Sequence, residues 1–232
     1  MISDLMARTL PLLRRQAGTL DLHALPEAGR RALGVDSLAV SLLTDTGQCE
    51  LIWCSGTLGH RFEDLELVLG EGPGNEAAAG GRPVLVPDLA RTRSDRWAVL
   101  AAESAALPVL AVFCFPLGVG AIHVGALTTV RRTCGPLTGA QAGDARVLAA
   151  ALTSLCLAEP DRDARAQPAE EPPALLRAVV HQATGMLSVQ LDVPLPEALA
   201  RLRAHAYASG HAVGAVSRSI VDHRLHLDQN EP

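Results

Sequence analysis

Lysine is absent from this chain of 232 residues: all 20 of its cationic side chains, histidine aside, are arginine, against 25 acids. That bias fits a GC-rich coding sequence, and it makes every basic group a planar fork suited to phosphate. Aromatic residues are scarce at 3%, so a core has to rest on Leu, Val and Ala. The net charge of −5 argues against a protein that binds nucleic acid over its whole surface. The cysteines, Cys49, Cys54, Cys114, Cys134 and Cys156, are odd in number and contain no CxxC pair. This excludes an ordinary disulfide framework or zinc motif; reduced thiols, no metal and no cofactor are expected. No apolar run is long enough to span a bilayer, and the start of the chain carries Asp4 without a continuous apolar stretch. A soluble, cytoplasmic protein with no leader peptide and no membrane partner is the expectation.

Charge is unevenly spread. Residues 1–158 hold 13 Arg against 15 acids, residues 159–173 hold 2 against 5, and residues 174–232 hold 5 against 5. The middle segment, Glu159 to Pro173, combines charge and proline with no large apolar residue. Such a stretch cannot bury surface and reads as an extended linker. The chain therefore divides into a domain at 1–158, a linker at 159–173, a small domain at 174–228 and a tail at 229–232.

Before the linker, helical and strand patterns alternate. Residues 3–17 read as a helix broken at Pro11, and 21–34 as a second helix stopped by Gly34. Residues 37–43 and 49–55 read as strands of a hairpin around Asp45-Thr46-Gly47. Residues 62–68 suit a short helix or irregular segment, 84–86 a short strand and 96–105 a helix. Two apolar runs, 109–117 and 121–130, make another hairpin, followed by a long helix at 138–157. Antiparallel hairpins flanked by helices predict an α+β fold, with helices packed on an antiparallel sheet.

After the linker every period is helical. Leu176, Val180, Ala183 and Leu187 form an apolar stripe, with Arg177, His181, Thr184 and Ser188 as a polar stripe beside it. Asp192-Val193-Pro194 ends this helix. Pro196 suits the first turn of the next, whose seam is Leu199, Leu202 and Ala206. Ser209-Gly210 stops it, and a third helix over about 213–225 buries Val213, Val216 and Ile220.

The N-terminal domain resembles a GAF domain of actinobacterial regulators. The resemblance rests on Leu69-Gly70-Glu71-Gly72-Pro73-Gly74-Asn75-Glu76-Ala77, then Arg82-Pro83-Val84-Leu85-Val86-Pro87-Asp88-Leu89 and Arg96-Trp97. It continues through Phe113-Cys114-Phe115-Pro116-Leu117 and Val124-Gly125-Ala126-Leu127, in that order over roughly 130 residues. The C-terminal domain resembles an ANTAR domain, a three-helix RNA-binding module of transcription antiterminators. Here the residues are Val179-Val180-His181-Gln182-Ala183-Thr184-Gly185-Met186-Leu187, Pro196-Glu197-Ala198-Leu199, Leu202-Arg203 and Val216-Ser217-Arg218-Ser219-Ile220-Val221. GAF followed by ANTAR is itself a familiar order. The resemblance implies that the GAF part senses a signal, and that the ANTAR part binds paired RNA hairpins as a dimer and so favours an antiterminator. Three positions depart from the ANTAR pattern. Ser217 stands where alanine is usual, Pro194 where a capping Ser or Thr is common, and the turn 209–213 lacks the usual Asn and basic residues.

Several residues carry two readings. The glycines of 70–74 suit an anion cradle before a helix, or a tight turn with Asn75 as the helix cap, and Glu71 and Glu76 favour the turn. Candidates for a ligand pocket are Trp53, Glu71, Pro73, Trp97, Phe113, Phe115 and His123; in an aromatic-poor chain the aromatics are equally the core. Cys49 and Cys54, five apart on one strand, should point to opposite faces unless a bulge intervenes. GAF-fold methionine sulfoxide reductases use cysteines, but their motif does not map onto these positions, and no enzymatic activity is expected. Candidate RNA contacts are Arg177, His181, Gln182 and Thr184 on the first helix of the small domain. Arg201, Arg203 and His205 on the second, with Arg218 and Arg224 on the third, complete the set; the alternative is a solvated helix face. His181, His205, His211, His223 and His226 would add charge if protonated beside phosphate. Leu175, Val179 and Met186 widen the apolar surface of the first helix beyond one partner, so a homodimer is expected. A small-molecule signal of unspecified nature is the expected partner of the GAF part. The competing function is a GAF sensor whose degenerate ANTAR domain acts by protein contacts, without RNA.

Overall fold

A computed structural model describes residues 2–16, 19–21, 25–44, 47, 49–92, 96–157, 174–211 and 213–227. The expected linker, 159–173, lies outside the described residues. The chain forms two compact units, Met1–Ala169 and Glu170–Pro232.

In the first unit, a five-stranded antiparallel sheet carries helices on both faces. Its strands are β3 (Ser37–Leu43), β4 (Cys49–Cys54), β5 (Val84–Val86), β6 (Ala111–Val119) and β7 (Ile122–Arg131), in the order β4-β3-β7-β6-β5. A separate two-stranded ribbon pairs β1 (Arg14–Gln16) with β2 (Thr19–Asp21). A sheet covered on both sides needs apolar residues at successive positions rather than at alternate ones. This is why β6 reads as a continuous run, buried from Ala111 through Phe115.

One face packs on α1 (Asp4–Thr9), α2 (Leu25–Leu33) and α6 (Gly139–Leu157). Its core joins Leu38, Val40, Phe113, Phe115 and Leu127 of the sheet to Met6, Leu33, Leu148 and Leu152. The opposite face packs on α3 (Gly56–Leu69), α4 (Pro73–Gly80) and α5 (Ala98–Glu103). There Val112, Cys114 and Val130 meet Leu58, Phe62, Ala77 and Leu100. Asp144 of α6 anchors the start of the chain, accepting from the Ser3 amide at 2.9 Å and the Ser3 hydroxyl at 2.5 Å.

Several boundaries differ from the sequence reading. The expected helix 3–17 stops after α1: Pro11 falls in a 3-10 turn over Leu10–Leu12, and residues 14–16 are strand. The helix expected over 21–34 occupies Leu25–Leu33, with Gly34 at φ +61°. The segment 62–68 belongs to a longer helix, α3, of 14 residues. Between β3 and β4 the register shifts at Val40/Ser41. That bulge places Cys49 and Cys54 on the same side, toward α3, instead of on opposite faces.

The second unit is three helices, α7 (Ala174–Leu191), α8 (Leu195–Ser209) and α9 (Val213–Val221). Its core is Val180, Ala183, Leu187, Leu199, Leu202, Val216 and Ile220. The i, i+3, i+7 spacing read from α7 puts its apolar stripe here. Gly210 closes α8 in the left-handed conformation. α9 ends at Val221, short of the expected 225, and His223 turns the chain at φ +56°. Gln190 then donates to the Leu227 carbonyl at 2.8 Å, tying the end of this unit back to α7.

Candidate functional site

In the first unit, α3 and α4 lean over β3, β4 and β7 and leave a small cleft. Ser41, Cys49, Glu63, Glu66, Asn75 and Thr128 supply its polar wall. Its free volume is about 10 Å³, room for about one water. The acidity comes from α3. Glu63, Asp64 and Glu66 are 5%, 5% and 4% exposed, because this helix lies between the sheet and its neighbouring helices. Buried carboxylates require hydrogen-bond donors. Ser41 donates to Glu63 Oε2 at 2.5 Å, and the Gly74 amide donates to Glu66 Oε1 at 2.7 Å.

The start of α4 explains the glycine run. Gly72 has φ +147°, a conformation that L side chains rarely adopt. A Cβ at Gly72 or at Gly74 would overlap the Glu66 carboxylate. The run is thus a tight turn at a helix N-terminus, shaped around the side chain of Glu66. Asn75 is not the cap: Gly72 holds that position, and the Asn75 amide donates to the Glu66 carbonyl at 3.4 Å.

Two thiols feel this charge. Burial first, then Glu63 and Glu66, pushes the Cys49 thiol from its ordinary 9.0 up to about 12. Burial, again with Glu66 and Glu63, raises Cys114 well above its ordinary value, although a hydrogen bond with Thr128 partly opposes this. Both stay protonated thiols at neutral pH and are poor nucleophiles. Among the described residues no group of three or more His, Cys, Asp or Glu is placed to hold a metal ion.

The seven residues read as pocket candidates do not line this cleft. Phe113 and Phe115 point into the core under α6, and Trp53 packs half-buried against it. Trp97 is buried on the opposite face, at φ +55°, with the Arg96 guanidinium 4.2 Å above its ring. Arg96 also forks onto Glu76, at 3.1 and 2.6 Å. Glu71 caps α5, accepting from the amides of Val99 and Leu100 at 3.0 Å each. Pro73 is the buried first residue of α4. The His123 ring lies against Gly81, leaving no room for a Cβ there.

The polar stripe expected on α7 divides. His181 and Gln182 are exposed, but Thr184 is 5% exposed and donates to the Val180 carbonyl at 2.7 Å. Thr184 is therefore corrected from a surface contact to a core residue, because its hydroxyl is satisfied within its own helix. Ser188 donates to the Val193 carbonyl at 2.6 Å, just beyond the helix end. The side chain of Arg177 lies outside the described residues. Arg201 pairs with Glu197 at 2.7 Å, and Arg224 with Asp222 at 2.5 Å. Arg203 and His205 are half-buried, and burial lowers the Arg203 guanidinium to about 10. Arg218 is exposed on α9. As the proline at its start implies, α8 begins without a side-chain cap. Val189, Leu195 and Tyr207 are exposed at 84%, 56% and 76%.

The polar cleft was not read from the sequence. Its residues are interleaved with apolar ones in Phe62-Glu63-Asp64-Leu65-Glu66-Leu67, which looks like an ordinary half-exposed helix. A usable signal was the pair of glycines at 72 and 74, which leave room for a side chain from elsewhere.

No protein-family model matches the sequence, and no curated protein does. Solved structures do match. A GAF domain of a phosphoenolpyruvate-protein phosphotransferase from Coxiella burnetii is 14% identical, with TM-score 0.51, over 67% of this chain and 96% of that one. A domain of a Sinorhizobium meliloti protein described as a two-component sensor histidine kinase is 17% identical, with TM-score 0.50, over 63% of this chain and 94% of that one. At these identities the likeness is one of fold: the sheet-bearing unit has the fold of a GAF domain. Among the described residues no helix is long and apolar enough to cross a membrane.

Proposed function

We propose that this GAF-fold unit senses a signal and that the three-helix unit is its output, binding paired RNA hairpins as a homodimer to favour transcription antitermination. The reading places the protein in the cytoplasm and assigns it no catalysis. The observation that carries the RNA reading is the set of exposed polar residues on two helices of the output unit. His181 and Gln182 lie on α7 and Arg218 on α9, within the stretches that resemble an ANTAR domain. The half-buried Val179 and Met186 on α7 support dimerisation. The signal site is the cleft under α3 and α4, whose polar wall suits a small ligand able to donate hydrogen bonds.

A second reading rests on specific observations. Arg201 and Arg224 spend their charge on Glu197 and Asp222, and Tyr207 and Val189 stand exposed. These features favour an output unit that contacts protein instead of RNA. Electrophoretic mobility of tandem and single hairpins with the full chain separates the two. Retention of tandem hairpins in preference to single ones supports the RNA reading. No shift of either RNA at low salt leaves the protein-contact reading.

A further inference from the structure

We propose that Tyr207 is a stacking platform for an unpaired base of an RNA hairpin loop, at an acid-free end of the three-helix unit where α8 turns into α9. The proposal rests on the RNA reading and names the part of the RNA that this end takes. The chain has two Trp, three Phe and one Tyr. Phe62, Phe113, Phe115 and Trp97 are buried, and Trp53 is half-buried. Tyr207 alone stands in solvent, 76% exposed. α8 buries Ala198, Leu199, Leu202 and Ala206, which turns Tyr207 outward. Ala204, one turn before it, and Ala208 beside it are exposed and small, so a flat partner has room to lie on the ring.

An exposed tyrosine suits a protein surface as well as a base, and charge decides between them. From Ala198 to Val221 the chain has no acid, while Arg201, Arg203, Arg218, His205 and His211 all fall there. The acids stand at the far ends of the helices: Asp192 and Glu197 at the start of α8, and Asp222 after α9. Glu197 lies about 15 Å along α8 from Tyr207, and Arg201 neutralises it at 2.7 Å. Arg203, four residues before Tyr207, shares its side of α8. Burial lowers the Arg203 guanidinium only to about 10, so it is cationic at neutral pH. Positive surroundings draw in the phosphates on either side of a stacked base. A loop fits this end better than a stem, because the bases of a stem are already stacked and paired.

A tandem hairpin is selected on the full-length wild type from a pool with randomised loops, and its affinity is measured by fluorescence anisotropy. Tyr207→Ala should weaken binding by roughly 10- to 100-fold, and Tyr207→Phe, which keeps the ring, by no more than about threefold. Abasic nucleotides in the loops should weaken the wild type by that same larger factor more than they weaken Tyr207→Ala. Equal affinities of the wild type and Tyr207→Ala overturn the proposal and leave the RNA reading standing, as does an abasic loop that weakens both chains alike. A Tyr207→Ala chain that keeps its RNA affinity but drops from dimer to monomer mass by light scattering gives the ring to a second copy, and also overturns the proposal. A selection that returns no bound hairpin contradicts the RNA reading itself, and this inference with it.

Discussion

Ser217 has no exposed surface, and its Oγ is buried without a hydrogen-bond partner among the described residues. It lies on the inner face of α9, beside Val213, Val216 and Ile220. Leaving a hydroxyl buried and unpaired costs about 1–3 kcal/mol. Alanine also has the better helix propensity, by a margin within about 0.7 kcal/mol. Against these gains, Ser217→Ala loses the packing of one atom, worth under about 1 kcal/mol. The net expectation is a stabilisation of about 1–2 kcal/mol, a factor of roughly 5–30 in the opening equilibrium. Hydrogen exchange of the full chain, read on peptides from α7, α8 and α9, measures this unit separately from the first. Slower exchange by that factor in all three helices supports the reasoning. Unchanged or faster exchange refutes it, and would mean that the hydroxyl finds a partner in solution. The position is also one where the resemblance to ANTAR domains leads one to expect alanine, so the substitution restores the usual residue.

Other outcomes follow from the same geometry. Glu71→Ala removes the cap of α5 and should cost about 1–2 kcal/mol, read as a lower melting temperature by tryptophan fluorescence; a loss of ligand binding with unchanged stability would restore it as a pocket residue. Cys134 is exposed, whereas the Cys49 thiol is pushed up to about 12. Peptide mass spectrometry after iodoacetamide at neutral pH should therefore find Cys134 alkylated well before Cys49. The same shift predicts a loss of stability at high pH. Folding favours the thiol form of Cys49, so this contribution is intact below the unfolded value of 9.0 and is lost as pH rises toward about 12. A stability flat between those limits in chains lacking the other cysteines would contradict the burial of Cys49.

Much of the architecture is legible in the sequence because it follows from periodicity. The β6 run and the α6 stretch form the elements that their patterns imply, and Val180, Ala183 and Leu187 of the α7 stripe are buried, while the side chain of Leu176 lies outside the described residues. What escapes is set by contacts between distant segments. Nothing local in Thr184 distinguishes it from His181: both sit on one apparent polar stripe, and α8 and α9 decide which is covered. Cys49 and Cys54 share a side because of a bulge, which strict alternation along a strand cannot reveal. Of the two readings open for the aromatics, packing describes Phe113 and Phe115: with so few available, the core under α6 took both. The cleft is built of carboxylates and hydroxyls whose burial depends on α3 being enclosed from several sides. The glycines at 72 and 74 registered as a turn, and their partner, Glu66, lay eight residues away from the amide that it binds.

Under the proposed function the three-helix unit contacts RNA with few cations. Binding of the full chain to a tandem hairpin, measured across a salt series, checks this. With Arg218 and Arg177 as phosphate contacts on each protomer of a dimer, log K should fall against log salt with a slope of roughly −2 to −4. Arg218→Ala should make that slope shallower by about 2, one phosphate contact per protomer. Absence of binding at low salt, or a slope that Arg218→Ala leaves unchanged, would contradict the account.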